Sequence, residues 1–341
     1  MNRPTISVIA IAHNRKNFIE YALSSAINQT LPKELYEIIF ITNIEVNPDL
    51  LESGNIKTIY SNIKEIGPEV SMALTHCQGE IICLLDDDDE WAPEKLERVY
   101  SIFSQHPELC YYHNGMIFID ESGKEIIPDN QLTDWKKESR EFVWLHPRSG
   151  PKPIDSIVPM SSFNNSCISI RKHTLQRYTA YLEKINRTVD RFLFYSSVLD
   201  DCGILSDSAA LTRYRVHESS SSVHNIRDFK SFSTKQSENS RAYSDDFGTI
   251  LRMCNQVGDI NLQHELDILR LWFKFNGDLF SHDSRQVLLM DFVEVMKLLV
   301  STGFNDRWLR IIAVLSILSL LCPGLPRRII FNYYSKNSTG R

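Results

Sequence analysis

Long apolar runs are missing from this chain of 341 residues. None comfortably reaches the roughly 20 residues that a bilayer-spanning helix needs. The N-terminal run, ISVIAIA within MNRPTISVIAIAHNR, is too short for a signal peptide and has no small-residue cleavage site, so a protein that is not secreted is expected. No CxxC pair occurs among the seven cysteines, Cys77, Cys83, Cys110, Cys167, Cys202, Cys254 and Cys322. An odd count without a framework, with several members inside apolar runs, argues for reduced, buried thiols in a cytoplasmic protein and against structural zinc. The sequons at Asn28, Asn164, Asn186 and Asn337 then read as chance matches. A basic surplus is absent too: the net charge is −6 and basic residues are scattered, which disfavours nucleic acid as a partner. No internal repeat is evident.

What is present is ordinary globular composition, 43% hydrophobic and 23% charged, over a length that suits one large domain plus an appendage, or two domains. Ile6 to Ala12 is rich in β-branched residues and is followed by Phe18, Ala22, Leu23, Ala26 and Ile27 at helical spacing. EIIFIT (37–42), Ile56 to Tyr60 and Ile81 to Leu85 are further short apolar runs, with a helical stretch from about Val70 to His76 between the last two. Strands that are apolar throughout and alternate with helices predict a mostly parallel sheet covered on both faces. Ligands of such sheets bind at the carboxyl ends of the strands. Tyr111 to Asp120, Cys167 to Ile170 and Ala209 to Val216 predict later strands.

The serine-rich stretch from about 223 to 246 reads as a polar linker or mobile loop, and residues 247–341 as a helical region. Its last apolar stretch, Ile311 to Leu321, is flanked by Arg310, Arg327 and Arg328 and followed by tyrosines. That pattern suits either an interfacial membrane segment or a buried C-terminal helix.

The chemistry concentrates in IICLLDDDDEWAPEKL, residues 81–96. Four adjacent carboxylates, Asp86 to Asp89, follow a predicted buried strand and precede a helix whose stripe is Leu96, Val99, Tyr100 and Phe103, with Pro93 placed to start it. Such a run could hold a hard cation, supply a nucleophilic carboxylate or form a solvated acidic loop. EF-hand spacing is absent, and Asp-Glu-Trp stands where a phosphatase would want threonine or valine. Mg²⁺ or Mn²⁺, held by one or two carboxylates plus substrate phosphates, matches the short turn best.

Three segments carry a resemblance. PTISVIAIAHNRKNFIEYALSSAINQT (4–30), GEIICLLDDDDEWAPEKLE (79–97) and LTRYRVHESSSS (211–222) resemble, in the same order, the signatures of family 2 glycosyltransferases. The resemblance implies a GT-A fold, Rossmann-like with a mostly parallel sheet flanked by helices, over residues 1–222, here with a helical C-terminal extension. It also implies a nucleotide-sugar donor, Mn²⁺ or Mg²⁺, and transfer with inversion to a glycan, polysaccharide or lipid-linked acceptor. Donor contacts fall on Ala12, His13, Asn14, Arg15, Asn43, Ser71, Asp86, Asp87 and Arg215, and metal contacts on Asp86, Asp88, Asp89 and His217. Asp86 and Asp88 are the expected pair around the cation, Asp89 a helper and Asp87 the dispensable member. The family's catalytic base matches Asp190, with Asp200 and Asp201 as rivals. His217 is alternatively a phosphate contact, and Arg215 alternatively a surface ion-pair partner.

Two departures stand out. Thr42 and Asn43 replace an aspartate-rich turn, and His13 replaces a common tyrosine, so the nucleobase is not implied. A catalytically inactive sugar-nucleotide-binding protein is the alternative reading. A nucleotidyltransferase is weaker, because AIAHNRKNF lacks the glycine of a phosphate loop. The expected location is cytoplasmic, with peripheral contact at the inner face of the cell membrane through residues 308–335.

Overall fold

The computed structural model describes residues 4–127, 141–148, 161–217, 226, 228–281, 285–301 and 306–336. The chain divides into two units, one reaching Val216 and the other running from His217 onward. The division therefore falls six residues before the expected boundary at 222.

The first unit is built on a ten-stranded mixed sheet in the order β3-β2-β1-β4-β9-β6-β10-β5. Its strands are β1 (Ile6–Ala12), β2 (Tyr36–Thr42), β3 (Ile56–Tyr60), β4 (Ile81–Asp86), β5 (Glu90–Trp91), β6 (Leu109–Ile119), β7 (Glu125–Ile126), β8 (Phe142–Trp144), β9 (Ile168–Arg171) and β10 (Gly203–Arg215). Pairing is parallel from β3 through β4 and again between β6 and β10. The short β9 runs antiparallel between β4 and β6, an insertion that the apolar runs did not disclose. β7 lies beside β6 and β8 beside β10.

Helices α1 (Ile19–Ile27), α2 (Pro48–Ser53), α3 (Ile66–Leu74), α4 (Lys95–Gln105), α5 (Lys172–Arg177), α6 (Thr179–Leu182) and α7 (Val189–Leu199) join these strands. The apolar positions of β1, β2 and β4 pack with Ala22, Leu23 and Ala26 of α1 and Leu96, Val99 and Phe103 of α4 in one core. Gly79, just before β4, is required by closeness: a Cβ there would meet the backbone of Ile6 and Ser7 at 2.6 Å.

Cys110 on β6 and Cys202 before β10 are joined in a disulfide, with Cα atoms 5.7 Å apart and 92 residues between them in sequence. The expectation of reduced thiols throughout is corrected for this pair, whose proximity only the sheet creates. Cys77, Cys83, Cys167 and Cys254 are free and buried, and Cys322 is free and exposed.

The second unit is helical: α8 (Phe229–Val257), α9 (Ile260–Phe280), α10 (Arg285–Ser301), α11 (Arg307–Leu321) and α12 (Gly324–Lys336). Most of the expected linker, residues 229–246, is thus the first part of a long helix. Ser233 Oγ donates back to the Phe229 carbonyl at 2.7 Å, and Ser237 Oγ donates across to the Gly277 carbonyl of α9 at 2.9 Å. These serines let two helices approach closely, and their hydroxyls are satisfied without water. Helix α8 ends at Gly258, whose φ of 82° suits glycine, and Asp259 then caps α9 by accepting from the Leu262 N–H at 3.1 Å.

Candidate active site

β4 carries Asp86 to its carboxyl end, and β5 fastens the rest of the acidic turn to β10 through Trp91 opposite Thr212 and Glu90 opposite Arg213. The Asp86 N–H donates to Ser166 Oγ at 3.0 Å, and its carboxylate accepts from Asn165 Nδ2 at 3.1 Å. Asp89 is fully buried. Its Oδ2 accepts from Asn164 Nδ2 at 2.9 Å and its Oδ1 from the Arg215 N–H at 3.0 Å. Burial, then the neighbouring Asp88, push the Asp89 carboxyl up to about 7, against the pull of those donors. Burial, then Asp89 and Asp88, push Asp86 well above the carboxylate range. The turn carries more negative charge than its setting supports.

Three cations share the neighbourhood. Arg15, just after β1, forks onto Asp87 and reaches Asp88 at 3.1 Å. Its burial works against its charge, but Asp88 and Asp87 outweigh that and its pKa is raised. Asp87 is therefore not the dispensable member: it is buried and paired with the arginine that leads away from β1. Arg215 is 2% exposed and spends its guanidinium on the carbonyls of Asp88 (2.9 Å), Asp120 (2.9 Å) and Glu121 (3.1 Å), and on the Glu90 carboxylate. It also lies over the Phe18 ring at 4.7 Å. That burial corrects the surface ion-pair alternative, because Arg215 holds the turn from inside. Lys95, at the start of α4, is fully buried, and burial lowers its ammonium to about 8. It donates to the Ser166 carbonyl at 2.7 Å and to Asn114 Oδ1.

Asn164, Asn165 and Ser166, just before β9, organise all of this, and the sequence reading passed over them as a chance sequon. The Ser166 carbonyl accepts from Lys95, from Trp91 Nε1 at 2.9 Å and from Thr212 Oγ1 at 2.9 Å. The signal available in advance was three small polar residues directly before a buried strand, where unpaired polar atoms are costly.

Asp190 lies in the first turn of α7, and its Oδ2 accepts from the Asn164 N–H at 3.3 Å. It is thus joined to the aspartate turn through one residue. Its rivals lie near the other end of α7, about 15 Å along the axis. Asp200 is engaged with Thr174 Oγ1 (3.0 Å) and Arg177, and Asp201 accepts from the Arg148 N–H at 2.9 Å.

The remaining expected donor contacts divide. Ala12 is buried at the end of β1. Asn14, at φ 57°, and Asn43 bond reciprocally, backbone N–H to Oδ1 at 3.0 Å and Nδ2 to Oδ1 at 3.2 Å, across the ends of β1 and β2. His13 Nε2 lies 2.6 Å from the carboxylate of Glu69, which is fully buried in α3. Ser71 is 6% exposed and donates to Glu183 at 3.0 Å, so its hydroxyl is engaged within the fold. Among the described residues no three His, Cys, Asp or Glu side chains form a group able to hold a metal by themselves. The expected quartet of Asp86, Asp88, Asp89 and His217 is therefore not a protein-only cage, and His217 is a buried residue at the start of the second unit. An all-carboxylate donor set of one or two ligands still fits Mg²⁺ or Mn²⁺, which take their remaining oxygens from water and phosphate.

A carboxylate turn and further polar residues gathered at the strand ends mark the place where ligands of such sheets bind, and comparison with known proteins shows what the chain resembles. Residues 7–148 match the family described as Glycosyl transferase family 2. An uncharacterized glycosyltransferase of Haemophilus influenzae is 22% identical over 272 residues, 77% of this chain and 81% of the relative. The O-antigen biosynthesis glycosyltransferase WbnJ of Escherichia coli is 26% identical over 227 residues, 63% and 81%. Residues 1–349 of S. aureus TarS, solved with UDP-GlcNAc, superpose with a TM-score of 0.54 at 13% identity, covering 98% of this chain and 90% of that one. The mannosyltransferase PcManGT of Pyrobaculum calidifontis, solved with GDP-Man and Mn²⁺, gives 0.50 at 12% identity, covering 96% and 88%. Over residues 7–148 the chain matches the family 2 glycosyltransferases, and its fold is the GT-A fold.

Proposed function

We propose that this transferase moves a sugar, with inversion, from a nucleotide-sugar donor to a glycan, polysaccharide or lipid-linked acceptor of the cell envelope. The observation that carries the reading is the pairing of a crowded carboxylate turn at the end of β4 with a further carboxylate, Asp190, one residue away through Asn164. Asp86 and Asp88 would hold a divalent cation, which supplies neutralisation of the charge that develops on the departing diphosphate. Asp190 takes the proton of the acceptor hydroxyl as its oxygen attacks the anomeric carbon and the bond to the diphosphate oxygen breaks. Arg15 keeps Asp87 and Asp88 oriented. Asn14 and Asn43 frame the nucleoside end, as the polar termini of adjacent parallel strands do in such sheets. The envelope acceptor is supported by the O-antigen relative.

Thermal-shift measurements with UDP-, GDP- and dTDP-sugars, with and without Mn²⁺, test the donor half. Stabilisation that depends on both nucleotide and metal is expected; stabilisation indifferent to metal would remove the role given to Asp86 and Asp88.

The reading extends to peripheral contact with the cytoplasmic face of the membrane through residues 308–335. Among the described residues no helix is long and apolar enough to cross a membrane. Trp308, Ile311, Val314, Ile317 and Leu321 of α11 and Leu325, Ile329 and Tyr333 of α12 are exposed. Residues 307–341 contain six basic residues and no acidic one, which suits an anionic lipid surface.

A further inference from the structure

We propose that Asn164 is the positioning residue that ties the base to the metal-binding turn, so that both are set by one side chain and its own backbone. The inference rests on the function proposed above. Asn164 is 5% exposed and makes three bonds in three directions. Its Nδ2 donates to Asp89 at 2.9 Å, its Oδ1 accepts from the Ser166 N–H at 2.7 Å, and its backbone N–H donates to Asp190 at 3.3 Å.

These bonds are made from a backbone conformation, φ 67° and ψ 113°, that non-glycine residues rarely adopt. Such a conformation persists only where the surroundings over-determine it. Here they do: Tyr111 holds the Ser161 carbonyl at 2.5 Å, His113 the Phe163 carbonyl at 2.9 Å, and Trp91, Lys95 and Thr212 the Ser166 carbonyl. No simpler residue does the same work. Glycine would relax the backbone but leave Asp89 without its donor, and aspartate would aim a further carboxylate at an already crowded turn. Serine or alanine would leave the two side-chain bonds unmade and the strain in place.

The consequence is a specific coupling. Asp89 does not need to touch substrate to matter: held by Asn164 and the Arg215 N–H, it fixes the turn on which Asp86 and Asp88 stand. Asp190 is fixed from the same residue, so the spacing between metal ligands and base is not left to the side chains' own freedom. A displacement of about 1 Å between such groups is costly in rate.

Asn164→Gly and Asn164→Asp test this. Thermal shift with Mn²⁺ plus UDP and Mn²⁺ plus GDP is measured alongside initial rates on whichever sugar nucleotide stabilises the wild type. Because glycine accepts the backbone conformation, Asn164→Gly is expected to fold with an unliganded Tm close to wild type. The Mn²⁺ concentration giving half-maximal nucleotide-dependent stabilisation should rise about tenfold, the scale of one lost bond to a charged group. In the same variant kcat should fall by more than KM rises. Asn164→Asp should show a larger rise in the Mn²⁺ requirement than glycine. A Mn²⁺ midpoint and kcat both within twofold of wild type in the glycine variant would overturn the proposal. So would a variant that loses Tm alone, because a merely structural role predicts that. If the wild type itself shows no metal-dependent nucleotide binding, the function proposed above fails first and takes this inference with it.

Discussion

The two units handle unfavourable surroundings in opposite ways. The first buries charge: Asp89, Lys95 and Arg215 are at most 2% exposed, and Glu69 is fully covered. The second exposes apolar surface, with Trp308 at 62% and Leu321 at 74% on a helix whose other face is core. Each arrangement is costly in isolation and becomes reasonable once a partner is supplied. Buried carboxylates call for cations, and an exposed apolar face in a segment, 307–341, whose charges are all basic suits an apolar, anionic surface. On the function proposed above, the contrast would give chemistry to the first unit and attachment to the second.

The largest expected effect lies at Asp190. Asp190→Asn should leave metal-dependent nucleotide binding intact while transfer falls by about 10²- to 10⁴-fold, the range for removing a general base. Persistent transfer would move the base elsewhere and break the link between buried charge and catalysis. Next is Arg215→Met, which strips the acidic turn of its internal clamp. Removing the guanidinium's bonds to Glu90 and to the Asp88, Asp120 and Glu121 carbonyls should cost about 3–5 kcal/mol in urea unfolding. A loss below about 1 kcal/mol would mean that the guanidinium is not structural and restore it as a candidate donor contact.

His113 provides a pH test of the same burial. Its ring donates to Phe163 and is covered, and burial lowers its pKa to about 4 from an ordinary 6.5. Between those values the unfolded chain takes up a proton that the folded ring refuses. Stability is therefore full above about pH 6.5 and falls as pH drops toward 4, by at most about 3 kcal/mol from this group. Urea unfolding at pH 7 and pH 5 should show that slope in wild type and a shallower one in His113→Gln. Equal slopes would place the titration in other groups.

The smallest effect is expected in the second unit. Replacing Trp308 and Ile311 together by serine should reduce co-sedimentation with vesicles containing anionic lipid by about tenfold while leaving transfer to a soluble acceptor unchanged. Unaltered partition would dissolve the comparison and leave α11 as an unassigned surface.

The acidic turn was legible because it is local: a strand, four carboxylates and a helix start are contiguous, and β1, β2 and β4 announce themselves by unbroken apolar runs. Asp190 is a candidate only through the resemblance, since nothing about its immediate neighbours marks it. The helical nature of 229–246 was not legible, because serine and asparagine stripes resemble loop composition until a second helix is placed against them. The internal partners of Arg215 and Ser71 were not legible for a related reason. A side chain's type shows what it could bind, whereas its neighbours show what it has already bound.

By itself, then, the sequence carried the family resemblance, and it determined the sheet's apolar strands and the concentration of carboxylates at one strand end, since these depend on residues adjacent in the chain or repeated at a fixed period. Tertiary structure alone decided that Asn164 stands between Asp89 and Asp190, that Arg215 is spent within the turn, and that Cys110 meets Cys202. Each of these joins residues from 26 to 127 positions apart, and only a folded sheet brings such distant groups within bonding distance.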